Sequence, residues 1–255
     1  MTNGQTTIEF RDVSFALADG RKLLANLNLQ VNNGETLVLL GRSGSGKTTT
    51  MKLINRLIDP TSGEVRVDGK PTFEWDPIRL RRRIGYVIQE VGLFPHLTVE
   101  ENIGVVPRLE GWDADRIQAR ARALLTMVGL DADRFARRYP RELSGGQRQR
   151  VGVARALAAD PPVILLDEPF GALDPITRRE IQQEFRSLQH ELGKTMVFVT
   201  HDIAEAFVLA TRIALLKDGE MILLGLPAEL LQSRHPEARA FAQCFHDSQS
   251  TGSSA

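Results

Sequence analysis

The first thirty residues alternate between apolar and polar side chains. Ile8 and Phe10, then Val13 to Phe15, sit at strand spacing, and Leu27, Leu29 and Val31 repeat the pattern beyond a turn signal at Asp19-Gly20. Period two on both sides of a reversing turn predicts an antiparallel hairpin or meander. Thr36 to Leu40 is instead a continuous apolar run that feeds a glycine-rich turn. After that turn Met51, Ile54, Leu57 and Ile58 recur at helical spacing, so the segment predicts strand, loop, helix. Gly63 to Gly69 (GEVRVDG) reads as a further short strand ended by Asp68-Gly69. Residues 94–142 change character: they are rich in Arg, Ala and Leu, with a helix over Ala114 to Val128 capped by Asp113. Val163 to Leu166 and Met196 to Val199 then return to apolar runs about one strand-helix unit apart, the pattern of buried parallel strands. The pattern as a whole predicts an α/β core with an antiparallel β region at its start and a helical insert in its middle. Asp247 to Ala255 is Ser-rich and is expected to be disordered.

Composition narrows the classes. A chain of 255 residues suffices for one large α/β domain, or for such a domain with a small insert, and 42% hydrophobic residues exclude a wholly disordered chain. Lys plus Arg and Asp plus Glu both number 32, and the resulting zero net charge argues against a dedicated nucleic-acid binder. The single cysteine, Cys244, excludes an intrachain disulfide and fits a reducing compartment. The polar opening MTNGQTTIEF gives no expectation of a secretory leader, and no apolar run approaches the roughly 20 residues of a membrane-spanning helix. Any role at a membrane would therefore call for a separate membrane partner. The basic run Arg79 to Arg83 is read as a solvated helix face, Trp75 and Trp112 as packing residues, and His96 and His235 as structural or solvated.

The candidate chemistry begins at the glycine-rich turn. Gly41, Arg42, Ser43, Gly44, Ser45, Gly46, Lys47 and Thr48 spell GRSGSGKT, followed by Thr49, between a predicted strand and a predicted helix. Glycines let backbone N–H groups turn inward as an anion nest, Lys47 supplies a point charge for β- and γ-phosphates, and Thr48 supplies a hydroxyl for Mg²⁺. The helix that starts here directs its positive end at the phosphates. Downstream, VILLDE (Val163 to Glu168) places two acids at the carboxyl end of a buried strand, where ligands of α/β sheets bind. Asp167 is the candidate Mg²⁺ partner, through water, and Glu168 the candidate that polarises an attacking water beside the γ-phosphate.

Leu143 to Gln147 reads LSGGQ, directly ahead of a helical segment from Arg148 to Ala159. With this motif the chain resembles the ABC ATPase family over nearly its whole length. The resemblance implies an α/β P-loop NTPase (RecA-like) parallel-sheet core with an N-terminal antiparallel β subdomain and an inserted α-helical subdomain. In residue terms it implies one ABC ATPase domain over 1–246, with core 1–92 and 147–246 and helical subdomain 93–146. Ser144, Gly145, Gly146 and Gln147 would form a second anion site, at a helix N-terminus, that reaches the ATP held by another copy. Gln89, in GYVIQEVGLFPHLT, matches the glutamine loop, which in the family contacts Mg²⁺ and water and links to the membrane partner. Ala172-Leu173-Asp174 matches the loop that crosses the dimer interface, and His201, in VFVTHD, matches the switch histidine at the γ-phosphate. Family members often stack an aromatic of the early hairpin on adenine. Here that position is Leu17, with Phe15 two residues earlier and on the same strand face by period two.

The stretches MKLINRLIDPTSGEVRVDG and RRRIGYVIQEVGLFPHLTVEENI are similar to ATPase subunits of importers for osmoprotectants and other quaternary amines, such as glycine betaine, choline or carnitine. The implied assembly has two copies sandwiching ATP and Mg²⁺ and integral membrane permease subunits. An extracytoplasmic substrate-binding protein is indirectly engaged, nucleic acid is not, and the chain lies peripherally on the cytoplasmic face of the membrane. Several members of that branch carry a C-terminal pair of small regulatory domains, which this sequence is not expected to contain. The resemblance leaves open an amino-acid importer, an ABC exporter and a non-transport ABC ATPase.

Overall fold

Strands β1 (Thr6–Ala16) and β2 (Lys22–Asn32) form the expected antiparallel hairpin, with Phe10 opposite Leu29 and Phe15 opposite Leu24. Ile8, Phe10, Val13, Leu27, Leu29 and Val31 are all buried, so the alternation does turn one face of the hairpin inward. The ladder is interrupted, however. Its register shifts between Phe10 and Val13, and Asp12 (φ 48°) and Asn26 (φ 47°) take left-handed backbone. Asn28 holds this bulge, because its Oδ1 accepts from the Asp12 N–H (2.9 Å) and its Nδ2 donates to Asp12 Oδ1 (2.8 Å).

The chain continues through β3 (Thr36–Leu40), α1 (Lys47–Ile54), β4 (Ser62–Val67), β5 (Lys70–Pro71) and α2 (Pro77–Arg82). Next come β6 (Ile84–Val87), α3 (Val99–Ile103), α4 (Val105–Leu109), α5 (Ala114–Met127), α6 (Ala132–Phe135), α7 (Gly145–Leu157), β7 (Val163–Asp167) and α8 (Pro175–Leu192). It closes with β8 (Thr195–Thr200), α9 (Ile203–Leu209), β9 (Arg212–Lys217), β10 (Glu220–Gly225), α10 (Pro227–Gln232) and α11 (Pro236–Gly252). This computed structural model describes residues 5–89, 92–171 and 173–252. Two compact units emerge, Met1–Leu80 with Thr195–Ala255, and Arg81–Lys194.

The first unit holds two sheets. One is antiparallel, in the order β2-β1-β4-β5. In the other, β3 lies between β8 and β9 and runs parallel to both, and β10 pairs antiparallel with β9. Every residue of β3 and of β8 is buried. That is why these strands are continuous apolar runs rather than alternating ones: a parallel strand covered on both faces has no wet side. A buried acid ties the unit together below the sheet. Glu35 Oε2 accepts from the Asn32 N–H (2.8 Å), and its two oxygens lie 3.0 and 3.3 Å from Arg212 Nη1.

The second unit pairs β6 with β7 in parallel, Val87 opposite Leu166, and carries helices α3 to α8. It therefore takes in two strands as well as the helices of the 93–146 segment. Helix α5 starts where expected and ends one residue earlier, at Met127, with Val128 as its C-cap. Asp113 caps it by accepting from the Arg116 N–H (2.8 Å), and Ile117, Ala121, Leu124 and Leu125 form its buried stripe. Within Arg79 to Arg83, Arg79, Arg81 and Arg83 are exposed as expected, whereas Arg82 pairs with Glu110 at 3.1 Å. One expectation changes at the chain end. Helix α11 carries on past Asp247 to Gly252, because each further helical residue adds a backbone hydrogen bond while Ser and Gln cost only tenths of a kcal/mol.

A polar side chain organises the loop ahead of α3. Asn102 is fully buried; its Oδ1 accepts from the Phe94 N–H (2.8 Å), and its Nδ2 donates to the carbonyls of Phe94, Leu97 and Thr98. Thr98 and Glu101 add a reciprocal capping box at the same helix start. The Thr98 backbone N–H first, and its hydroxyl second, hold the Glu101 carboxyl below the usual range. Asn102→Leu is expected to lower unfolding stability by about 3 kcal/mol, since it strands one buried N–H and several carbonyls. An unchanged urea midpoint would rule this role out. The Glu101 contribution has the sign of a depressed acid: it is complete above the unfolded value of about 4.3 and fades as pH falls through the lower folded value. Glu101→Gln should therefore be less stable than the parent at pH 7, with the gap closing in acid.

Candidate nucleotide site

In the first unit the site grows from two neighbouring strand ends. Leu40 of β3 pairs with Thr200 of β8. The chain leaving each strand, Gly41 onward on one and His201 on the other, therefore emerges side by side at the carboxyl edge of a parallel sheet, the place where such sheets bind ligands. The loop after β3 demands glycine. Gly46 (φ 101°) caps α1, and a Cβ there would lie 2.6 Å from Leu24 Cδ2 and 2.9 Å from the Leu23 carbonyl. A Cβ on Gly41 would stand 2.4 Å from the Leu216 carbonyl and 2.6 Å from Ser45 Oγ. The side chains that any other residue would bring are thus excluded, and the backbone itself lines the cradle.

Lys47 is the electrostatic centre of this loop. Only 5% of it is exposed, and its Nζ donates to the carbonyls of Gly41 (2.7 Å) and Arg42 (2.9 Å). Ser45 is also buried, and its Oγ has no hydrogen-bond partner. A buried, unmatched hydroxyl next to a buried ammonium, in a loop that only glycine can form, fits an oxygen-rich anion. Arg42, Ser43, Gly44 and Thr48 are exposed, and Thr49 is half-buried. His201 is exposed on a braced turn: Thr200 Oγ1 donates to Glu205 Oε2 (2.5 Å) and accepts from the Asp202 N–H (2.9 Å), and Asp202 caps α9.

Leu17 stands in the β1–β2 turn and is half-buried. Its N–H donates to the Arg21 carbonyl (3.0 Å), and its own carbonyl accepts from Gly20 (2.9 Å). The strand ends at Ala16, with register shifts on both sides of Phe15. The period-two argument that placed Phe15 and Leu17 on one face therefore does not carry through, because alternation holds only along an unbroken ladder.

In the second unit, β6 and β7 repeat the same device. Val87 pairs with Leu166, so Gln89 and Glu168, each two residues farther on, come together, with Gln89 Nε2 3.4 Å from Glu168 Oε2. Glu168 has φ 43°, left-handed backbone that is costly for a non-glycine residue and typical of functional turns. Asp167 is buried at the end of β7, and the Tyr86 hydroxyl lies 3.5 Å from its Oδ2. Burial first, and the Asp167 charge second, push the Tyr86 hydroxyl well above its ordinary pKa, so it stays a neutral donor. Tyr86 was missed from sequence. Only its place one residue before the end of the β6 segment, opposite Leu165 and hence two residues short of Asp167, signals that it faces Asp167.

Ser144 caps α7. Its Oγ accepts from the Gln147 N–H (3.3 Å), and Gln147 Oε1 accepts from the Ser144 N–H (2.9 Å). A Cβ on Gly146 would meet Thr177 Cγ2 at 2.9 Å and Ile181 Cδ1 at 3.2 Å, so this glycine lets α7 approach α8. Asp174 caps α8, accepting from the N–H groups of Ile176 (3.2 Å) and Thr177 (3.1 Å). The Thr177 side chain is the main cause that lowers its pKa, with the backbone donors behind it. Ala172 lies outside the described residues.

Residues 24–171 match a family described as "ABC transporter". The chain is 53% identical, over 226 residues, to the glycine betaine/carnitine/choline transport ATP-binding protein OpuCA of Bacillus subtilis, covering 89% of this chain and 59% of that protein. It is 57% identical, over 210 residues, to the osmoprotectant import ATP-binding protein OsmV of Salmonella typhimurium, covering 82% of this chain and 55% of that one. The chain thus spans less than three-fifths of the length of these relatives. A solved dimeric ATP-binding cassette in a post-hydrolysis state, bound to ADP and Pi, superposes with a TM-score of 0.77 at 40% identity, over 86% of this chain and 98% of that one. The fold is the α/β P-loop NTPase fold of such cassettes, and the chain belongs to the ABC transporter family.

Proposed function

We propose that this chain is the ATP-hydrolysing motor subunit of an ABC importer for osmoprotectants or other quaternary amines. The observation that carries the ATP reading is the loop at Gly41 to Thr49, where a buried Lys47 and an unpartnered Ser45 hydroxyl sit in a backbone cradle. The names of these relatives support the substrate class, since this subunit's own residues carry no transported-substrate chemistry.

Phosphoryl transfer asks a protein for positioning and charge neutralisation more than for covalent chemistry. Lys47 and the N–H groups of Gly44, Gly46 and Thr48 bind the phosphates. Thr48, Gln89 and Asp167 would hold Mg²⁺, which would supply neutralisation of the phosphate charge. Gln89 keeps the Glu168 carboxylate at the strand end, where it orients an attacking water and accepts its proton. Tyr86, as a neutral donor, fixes Asp167. His201 contributes a hydrogen bond to the γ-phosphate from its braced turn. Ser144 to Gln147 of a second copy contact the same nucleotide from the opposite side, and Asp174 stands at that interface, so ATP favours the closed pair because only that state offers both sets of contacts. Leu17 gives the adenine an apolar contact in place of an aromatic one. Among the described residues no helix is long and apolar enough to cross a membrane. On this reading transport runs through integral permease subunits, with the chain peripheral on the cytoplasmic face and an extracytoplasmic binding protein delivering the substrate.

Glu168→Gln should lower ATP turnover about a hundred- to ten-thousand-fold, the range for losing a general base, while ATP still binds. Turnover equal to the parent would remove Glu168 from the mechanism. Lys47→Ala should weaken ATP binding about 10- to 100-fold by calorimetry, since a charge-assisted contact is lost. The transport reading is tested by purifying tagged Glu168→Gln protein from native membranes with ATP and Mg²⁺. Co-purification of an integral permease and a quaternary-amine-binding domain is expected; ribosomal proteins or DNA in their place would overturn it.

A further inference from the structure

Arg42, the second residue of the phosphate loop, is held from outside the loop. Its Nε lies 2.5 Å from Oε1 of Glu237, in the first turn of α11. The two partners differ sharply in setting. The Arg42 side chain is 71% exposed, whereas that of Glu237 is 8% exposed. The fixed end is therefore the acid. Its backbone N–H donates to His235 Nδ1 (3.2 Å), and the helix behind it is seated by buried Ala238 and by Phe245 stacked on Phe207 of α9 at 4.4 Å. Arg42 first, and Lys217 second, hold the Glu237 carboxyl below its ordinary range. Lys217 Nζ lies 3.7 Å from Oε2, directly after Leu216, whose carbonyl lies against Gly41.

The exposed end of this pair leads to the centre of the loop. The carbonyl of Arg42 is one of the two that accept from Lys47 Nζ. Glu237, Arg42 and Lys47 thus form one chain of contacts from α11 to the ammonium on which phosphate binding rests. An ion pair with one partner mostly in water adds little to folding stability, so retention of Arg42 by a buried acid is poorly explained by stability. We propose that Glu237 is a positioning residue for nucleotide binding: by tethering Arg42 it fixes the first peptides of the phosphate loop and hence the place of Lys47, which makes α11 a handle on the nucleotide site. The inference rests on the ATP reading above.

The experiment measures ATP binding by calorimetry with Mg²⁺, KM and kcat for hydrolysis, and thermal stability, for the full chain and for Glu237→Gln, Arg42→Gln and the double variant. The expected result is an ATP dissociation constant and KM raised about fivefold in Glu237→Gln, with kcat within twofold and the melting temperature within a degree or two. In the Arg42→Gln background the Glu237 change should add nothing, because neighbours that act through one contact are not additive. Unchanged or tighter binding in Glu237→Gln would overturn the proposal, as would an equal loss with Arg42 absent. A fall in kcat and melting temperature with KM unmoved would mark a structural role only and also overturn it. If Glu237→Gln does not fold, Glu237→Asp, which keeps the charge and shortens the reach, is judged by the same criteria. A parent chain that does not bind ATP would instead defeat the functional reading itself.

Discussion

An ammonium group in a protein interior costs several kcal/mol of lost hydration unless its hydrogens are met, and the region around Lys47 is arranged to meet them. Two carbonyls of its own loop accept from Nζ. They can do so only because the loop doubles back, and it doubles back only where glycine permits it. Gly41 is pressed against the Leu216 carbonyl of β9, and Gly46 against Leu23 and Leu24 of β2. The lysine's setting is thus fixed by the parallel sheet on one side and the antiparallel hairpin on the other. The hairpin, through Leu23 and Leu24, shapes the site by leaving room for nothing larger than hydrogen at Gly46.

Register does the remaining placement. Parallel pairing of β3 with β8 brings Gly41 and His201 to one edge, and parallel pairing of β6 with β7 brings Gln89 to Glu168. A shift of one residue in either ladder would exchange the two covered faces of a strand and misplace every side chain packed on them, so the hydrophobic runs that fill these strands also fix where the polar residues beyond them emerge. Chemistry at the strand ends and burial within the strands are set by one constraint. The left-handed backbone at Glu168 is tolerable because β7 is fully buried up to Asp167 and holds the turn in place.

The loop, the acids and the helix caps were legible in sequence because each is local. Glycine spacing, an apolar run ended by Asp-Glu, and Asp113 or Ser144 ahead of a helix are all patterns within a few residues. What escaped was nonlocal. Asn102 looks like any helical amide until the carbonyls of Phe94, Leu97 and Thr98 are seen around it. Glu237 lies 195 residues from Arg42, and no window on the chain joins them. The shared face expected for Phe15 and Leu17 fails for the opposite reason: a local rule was carried across bulges that end its validity. The serine-rich end shows the same limit, since weak helix formers continue a helix that packing has already started.

Ser144 shows how a residue can satisfy the structural reading and the chemical one together. As a cap it uses one lone pair to accept from the Gln147 N–H. A hydroxyl has a donor hydrogen besides, and capping leaves that hydrogen free to point away from the helix. The first N–H groups of α7, on Gly145 and Gly146, have no intrahelical acceptor and face the same way. Gly146 must be glycine for a different reason, the approach of Thr177 and Ile181 on α8. That approach holds the N-terminus of α7 beside the N-terminus of α8, which Asp174 caps. The packing of two helices therefore aims a ring of donors outward. In the closed pair proposed above, the same capping geometry that stabilises α7 would present those donors to the nucleotide of the facing subunit.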